Sequence, residues 1–385
     1  MRLAYVDPQS YHGLAKYDAG FLHGLSEAGF EGEIRFYCSD LLDQPIPEKV
    51  EVIQIFNYNR KRFAIARLIA YMVSMLRILV AAFTSPVDVY HFQWFKFPPV
   101  DLLCVIILRR FACAHVVFTA HNVVPHGAEK GRHWFLGRIY GAVEHIIVHN
   151  ASTAEEISRR FSIDRDRFSV LRHGVINLEA QGTPRHQKQL SDFVASHDSC
   201  FLYLGRGTRY KGLDILLKAW PQVSAASERK VGLIVVGAVD DEIKPIARRA
   251  TYESSETLLL ADEHVPEADL FHAVQLCDVV VLPHRNISQS GVLLSVLGLG
   301  VPVLVSALPG LLEPLDIAPV GWQFDGTEAG LVKQLTFLAD HPQAVSDVRN
   351  NREGWEAVRR AYDWNTIACS SVALYRNVLA QTVHE

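Results

Sequence analysis

Short apolar runs alternate along this chain with longer segments of helical character, and the pattern occurs twice. In the first half the runs fall at 2–6, 33–37, 51–55, 87–92, 115–120 and 145–149; in the second they fall at 200–204, 231–236, 257–260, 279–282 and 302–305. Runs that are apolar at nearly every position must be covered on both faces, which means a parallel sheet between layers of helix. Between the halves, from 178 to 198, the chain turns polar, with Gln181-Gly182-Thr183-Pro184 near the start of that stretch. The expectation is an α/β chain of two Rossmann-like parallel-sheet domains. The first covers 1–178, a linker covers 179–198, the second domain covers 199–360, and a terminal helix covers 361–385. A length of 385 residues exceeds one ordinary core, and 49% hydrophobic residues can fill two.

Two loops of the second half carry the chemistry. Residues 201–219 read FLYLGRGTRYKGLDILLKA: a strand, a Gly-broken loop bearing Arg206, Gly207, Arg209 and Lys211, then a helix from about Gly212. Residues 282–305 read LPHRNISQSGVLLSVLGLGVPVLV, where a strand end meets a polar loop with no acidic residue and a helix opens at Ser290-Gly291. A helix that starts beyond a strand's carboxyl end directs unpaired N–H groups and a positive dipole end outward, and cations beside it suit a diphosphate. Ser288, Gln289, Ser290 and Gly291 are small or polar enough for an anion to approach the backbone. Neither loop ends in the Lys-Ser/Thr of a nucleotide-hydrolysing phosphate loop, and neither carries GxGxxG. The phosphate is expected between the two loops.

These segments, with His173-Gly174 upstream and Trp364 downstream, resemble the second half of retaining family-4 glycosyltransferases (group 1). Arg206 and Lys211-Gly212 match that family's Arg, four residues, Lys-Gly; Gly291, Leu293–Leu299 and Gly300-Val301-Pro302-Val303 match its later loop, helix and strand. Pro309-Gly310-Leu311-Leu312-Glu313 looks like its glycine-rich turn ending in Glu. The resemblance implies a GT-B fold, with two domains facing across a cleft and a last helix crossing back to the first. It implies Arg206, Lys211 and His121 as catalytic groups, the last beside the donor sugar. Arg209, Gly207, Gln289, Ser290, Gly291, Ser295 and His173 are the implied donor-binding set. The loop Ser10–Leu14 resembles the family's first loop, which makes His12, Gly13 and Asp18 acceptor-side candidates. The family's usual Glu, seven residues, Glu pair is missing, because those positions are Ile287 and Ser295. Retention or inversion therefore stays open.

The first half adds a histidine and a basic apolar segment. His121 follows the apolar run Val116–Phe118, where side chains enter the crevice of an α/β sheet; His126 falls too far along the loop, His173 is expected to line the domain hinge, and Glu129 is a further candidate acceptor contact. Residues 59–83, NRKRFAIARLIAYMVSMLRILVAAF, are long enough to cross a bilayer but hold Arg67 and Arg77. They suit a basic amphipathic helix lying on an anionic membrane surface, joined by the aromatics of 91–97.

The remaining composition narrows the function class. A net charge of −4 argues against nucleic acid as a partner. The cysteines show no CxxC spacing and read as thiols of a reducing cytosol. A strand at 2–6 leaves no room for a signal peptide, so a cytoplasmic protein, peripheral on the inner face of the plasma membrane, is expected. Asp240-Asp241-Glu242 and Asp262-Glu263-His264 lack ligand spacing, and no metal or other cofactor is expected. The expectation is a hexosyltransferase that uses a nucleotide diphosphate sugar as co-substrate and a glycan or lipid-linked saccharide as acceptor, in bacterial cell-surface or exopolysaccharide assembly. A non-catalytic nucleotide-sugar-binding partner and a nucleotide-sugar epimerase are the alternatives.

Overall fold

The computed structural model describes residues 1–122, 130–176, 182–261, 265–287 and 289–381. It divides into two compact units, Met1–Gly174 with Tyr362–Glu385, and Val175–Ala361.

The first unit runs β1 (Leu3–Asp7), α1 (Gly13–Glu27), β2 (Ile34–Ser39), β3 (Val50–Phe56), α2 (Ala64–Thr84), β4 (Val89–Phe92), α3 (Pro98–Arg110), β5 (His115–Thr119), α4 (Lys130–Ala142), β6 (His145–Val148), α5 (Ala151–Phe161) and β7 (Phe168–Val170). Its seven strands form one parallel sheet in the order β3-β2-β1-β4-β5-β6-β7. β1 and β4 are buried at every position, as the continuous apolar runs require. One face carries α2, α3, α4 and α5 over a core that includes Tyr71, Ile78, Val105 and Ile157. The other face carries α1 and the last helix of the chain, over Tyr17, Phe21, Ala368 and Tyr375.

The second unit runs α6 (Gln187–Ala195), β8 (Ser199–Leu204), α7 (Leu213–Ala226), β9 (Val231–Val236), α8 (Lys244–Glu253), β10 (Thr257–Leu260), α9 (Glu267–Leu276), β11 (Val279–Leu282), α10 (Gly291–Gly298), β12 (Val303–Ser306), α11 (Pro309–Ile317), β13 (Gly321–Phe324), α12 (Glu328–Asp340), α13 (Pro342–Arg349) and α14 (Arg352–Ala361). The strands pair in parallel in the order β10-β9-β8-β11-β12-β13. The chain then returns to the first unit as α15 (Trp364–Gln381), which packs along α1. Trp364 seats that helix. A Cβ added to Gly174 would lie 2.3 Å from its indole, and one on Gly20 would lie 2.4 Å away. Glycine at both positions is what admits the ring.

Three expectations change. Part of the expected linker 179–198 is helix α6, because Leu190 buries completely and α6 packs on α9. Pro309–Glu313, expected as a turn, opens α11 with proline at its start, where the missing N–H is no loss. β13 was not expected; it is four residues, only partly buried, and too weakly apolar to stand out.

Candidate functional site

In the second sheet β8 and β11 are neighbours, yet the chain leaves β8 for β9 on one side and β11 for β12 on the other. Open parallel sheets bind ligands beyond the strand ends at such a switch point. The loops that leave β8 and β11 are fastened together. The Arg285 amide donates to the Tyr210 carbonyl at 2.8 Å, and the Arg285 guanidinium grips both Asp214 oxygens at 2.6 and 2.8 Å. It also donates to the Arg209 carbonyl. Burial alone would raise the Asp214 carboxyl, but the hydrogen bonds and positive charge of Arg285, with smaller help from Lys218, together outweigh it and hold the group below its ordinary range. Gly212 has φ +74°, and a Cβ there would stand 1.7 Å from the Pro283 carbonyl oxygen. Only glycine lets the loops approach this closely.

Lys211 turns into this junction, its Nζ 3.7 Å from the place a Cβ on Gly205 would occupy. Burial depresses its pKa, and Arg206 adds to the effect. Asp240 draws it partly back, but that carboxylate is bonded to Arg206 Nε at 2.7 Å. No carboxylate pairs with Lys211 among the described residues, so its ammonium group is offset only by the more distant Asp240, which Arg206 already engages. His284, two residues past β11, is buried too; neither ring nitrogen completes a hydrogen bond among the described residues, and the Leu282 carbonyl acts on it only weakly. Burial, then Lys211, takes its pKa down to about 4, so the ring is neutral.

α10 completes the second unit's arrangement. Ser290 is its N-cap, with Oγ accepting from the Leu293 amide at 3.3 Å. No acidic residue occupies the first turn, and the amides of Gly291 and Val292 precede any carbonyl the helix can offer them. Val292 reaches back to Gly205 beside Lys211. The buried Gln289 Oε1 has no partner among the described residues. A cation, a helix N-terminus and a neutral imidazole that can donate, with an amide oxygen that accepts, suit an anionic, hydroxyl-bearing ligand.

The first unit holds a second cluster. β4, β5, β6 and β7 are followed within three residues by Gln93, His121, His149 and His173. His149 Nδ1 lies 2.9 Å from the Leu171 carbonyl, which only accepts, so that nitrogen carries the proton. Burial drives all these imidazoles below their ordinary value, His149 to about 4, and they are neutral. His149 Nε2 therefore accepts from His121 Nδ1–H at 3.0 Å, which leaves His121 Nε2 as an acceptor. Opposite it, at 3.0 Å, stands Gln93 Oε1, a second acceptor. The ends of an amide exchange by a half-turn. Neutral rings require that turn, with the Gln93 N–H donating to His121 and its oxygen accepting from His91 or Thr119. His91 is held at its far side by Tyr375 at 2.6 Å, a residue of α15. The network fixes one tautomer of His121 from both sides.

A family model described as Glycosyltransferase Family 4 matches residues 12–176, and one described as Glycosyl transferases group 1 matches residues 198–340. The chain belongs to these glycosyltransferases. Relatives include an uncharacterized glycosyltransferase of Methanocaldococcus jannaschii, 23% identical over 242 residues, 60% of this chain and 59% of the relative. A D-inositol 3-phosphate glycosyltransferase of Corynebacterium aurimucosum is 23% identical over 254 residues, 61% of this chain and 57% of the relative. The chain spans about three-fifths of the length of these curated relatives. Sucrose-phosphate synthase from Thermosynechococcus elongatus superposes with a TM-score of 0.73 at 17% identity, over 99% of this chain and 100% of that one. Anabaena HepE in complex with UDP and glucose gives 0.69 at 13% identity, over 98% and 100%. The likeness establishes the fold, GT-B.

Within this glycosyltransferase the expected residues separate. Lys211, Gln289, Ser290 and Gly291 meet at the β8–β11 junction, with Ser295 buried on α10. Arg206 and Arg209 are exposed, Arg206 held outward by Asp240, so the expected trio of cations reduces to one inward lysine. Gly207 is not a phosphate donor: its amide goes to Ala238 O at 2.7 Å, and its lack of a side chain admits Leu213. His173 belongs to the first unit's cluster with His121, its ring 4.7 Å from Tyr17 and 5.6 Å from Trp364.

The acceptor-side set separates too. His12 caps α1 at φ +56° and lies 3.7 Å from Asp43, and Gly13 is the first helical residue rather than part of a loop. Asp18 is fully buried, accepting from Tyr5 OH at 2.9 Å, because its position on α1 faces the sheet; it offers nothing to an acceptor. His91, Phe92, Gln93 and Phe95 are likewise buried and are not interfacial aromatics. Asp240 and Asp241 are bonded to Arg206 and Lys244. His126, Glu129, residues 262–264 and Ser288 lie outside the described residues. His284, Gln93 and His149 were not singled out as site residues. Their signal was a polar ring or amide placed just after an apolar strand run, the same signal that drew attention to His121.

Proposed function

We propose that the protein transfers a hexosyl group from a nucleotide diphosphate sugar to a hydroxyl of a glycan or lipid-linked saccharide, in bacterial cell-surface or exopolysaccharide assembly at the cytoplasmic face of the membrane. The observation that carries this reading is the Lys211 ammonium, without a paired carboxylate among the described residues, half-buried where the β8 and β11 loops are clamped and beside the N-terminus of α10. In the transfer, the bond between the sugar's anomeric carbon and the diphosphate oxygen breaks, and an acceptor oxygen bonds to that carbon. The acceptor's proton leaves with the diphosphate or to solvent. The charge that develops is negative on the leaving diphosphate, and preorganised positive groups lower that barrier most. Lys211 and the α10 amides supply them without a metal step, and Gln289 and the neutral His284 add hydrogen bonds.

His121 is read as contributing through its backbone carbonyl and its fixed ring, since both ring nitrogens are occupied within the first unit. HepE, of the same fold, is seen in complex with UDP and glucose, which supports a uridine or similar nucleotide donor. Family membership favours retention, with Ser295 and Ile287 standing where acidic residues are usual. The test is a panel of nucleotide sugars with lipid-linked and soluble saccharide acceptors, followed by nucleoside diphosphate release and the anomeric configuration of the product. Acceptor-dependent release is expected. Tight donor binding with no release from any pair would replace transfer with the non-catalytic reading.

A further inference from the structure

α2 buries one side in the core of the first unit and leaves an apolar side exposed. Tyr71, Met75 and Ile78 enter the core, with Tyr71 OH donating to Asp101 at 2.5 Å and Ser74 Oγ to the Ile55 carbonyl at 2.6 Å. On the opposite side Ile65, Ile69, Leu76 and Phe83 stand 74%, 56%, 58% and 57% exposed, spaced at turns of the helix. α3, packed beside α2, adds Leu103 and Phe111 at 58% and 68%. Isolated exposed apolar residues need no explanation, but a stripe repeated along one side of a 21-residue helix does.

The charge around the stripe identifies what covers it. α2 has no acidic residue at all. Arg62, at its start, and Arg77, on its flank, are exposed, with no carboxylate in salt-bridge distance among the described residues. Arg110 ends α3 in the same condition. An apolar surface flanked by unpaired arginines complements a sheet of acyl chains bordered by negative headgroups. We propose that the α2–α3 face of the first unit docks in the plane of an anionic phospholipid bilayer. α2 has the length and apolarity to cross a bilayer. Crossing would strip Tyr71, Ser74 and Ile78 from the core they complete, whereas lying flat leaves every one of those contacts in place. Docking would hold the enzyme where a lipid-linked acceptor resides and in that respect rests on the transferase reading, but it uses none of the residues read as binding the donor and is tested without them.

The experiment is flotation of the purified full chain with phosphatidylcholine vesicles, either neutral or containing ~30 mol % phosphatidylglycerol. Flotation with the anionic vesicles, weakening as salt rises, is expected. Ile69→Glu combined with Leu76→Glu, both at exposed positions and checked for an unchanged thermal transition, should cut partitioning at least about tenfold. Arg62→Ala and Arg77→Ala should each cut it by about fivefold on anionic vesicles. Failure to float with either composition, or equal flotation of the Ile69/Leu76 variant, would overturn the proposal. So would a dimer that dissociates on the same double substitution, since a second copy would then cover the face. Resistance of the cellular protein to alkaline carbonate extraction would show a spanning helix and would also refute it. Donor turnover with a soluble acceptor should be unaffected by the double substitution, so failure here is distinguishable from failure of the transferase reading.

Discussion

Replacing Lys211 by methionine separates function from stability in opposite directions. The side chain keeps its length and loses its charge, at a position where burial already disfavours that charge and no carboxylate pairs with it among the described residues. A charge-assisted bond to a phosphate is worth about 1.5–3 kcal/mol in affinity, and a preorganised donor aimed at developing charge is worth about 100- to 1,000-fold in turnover. The half-buried setting and lack of a paired carboxylate place Lys211 towards the upper part of that range. Folding should respond the other way. With a folded-state pKa below that of the unfolded chain, the charged lysine weakens the fold at neutral pH, and stability rises as pH climbs from the folded value towards the unfolded one. Lys211→Met should therefore melt at the same temperature as the parent or higher. The assays are steady-state release of nucleoside diphosphate and thermal unfolding with and without the nucleotide diphosphate. Arg206→Ala is the control; that exposed residue is bonded to Asp240, and its loss should change turnover less than about tenfold. Turnover of Lys211→Met within about threefold of the parent, or a fall like that of the Arg206 control, would refute the assignment.

Arg285→Met strands the buried Asp214 carboxylate and should destabilise the second unit by about 3 kcal/mol, read by chemical denaturation; the loss should shrink as acid protonates Asp214 through its depressed pKa. His149→Phe keeps the ring and removes the bond that fixes the His121 tautomer, so kcat should fall about tenfold or more with KM nearly unchanged; a pure KM effect would count against positioning. Gly174→Val pushes a side chain into the Trp364 indole and should destabilise by about 1–3 kcal/mol or more, seen as a lowered melting temperature. Asp7 and Asp18 are buried, with burial as the main cause of raised pKa values, Asp7 at about 6. The folded protein thus holds protons that the unfolded chain releases, and its stability should fall as pH rises through about 6; Asp18→Asn should flatten that dependence in thermal melts.

Much of this fold was legible because a parallel strand buried on both faces is apolar throughout, as in Leu3–Asp7 and Val231–Val236. The edge strand Gly321–Phe324 escaped notice for the converse reason, since it is half wet and needs no such run. Polar stretches mislead when a few apolar positions suffice: Leu190 alone buries completely in α6, inside an apparent linker. In the site, Lys211 and the α10 N-terminus were readable from loop chemistry, but side-chain direction was not. Arg206, one residue past Gly205, turns out to Asp240 while Lys211 turns in, and no spacing rule distinguishes them. Asp18 looked available because a helix surface and a helix core differ only by rotation about the axis, and the sheet behind α1 decides which it is. The His121 network joins four strand ends that lie far apart in sequence, so the partners of that ring could not be read from its neighbours.

The seat of Trp364 has a consequence for how the molecule is made. A growing polypeptide emerges from its amino end, yet α1 is alone on the first sheet's second face until the later stretch with Trp364, Ala368 and Tyr375 has been synthesised. The intervening unit has every strand it needs much earlier and can mature while its elder sibling waits. A nascent or prematurely stopped product would thus leave the Gly20–Gly24 side of α1 without Trp364 and the His91 imidazole without its tyrosine partner, the kind of surface that chaperones and proteases survey.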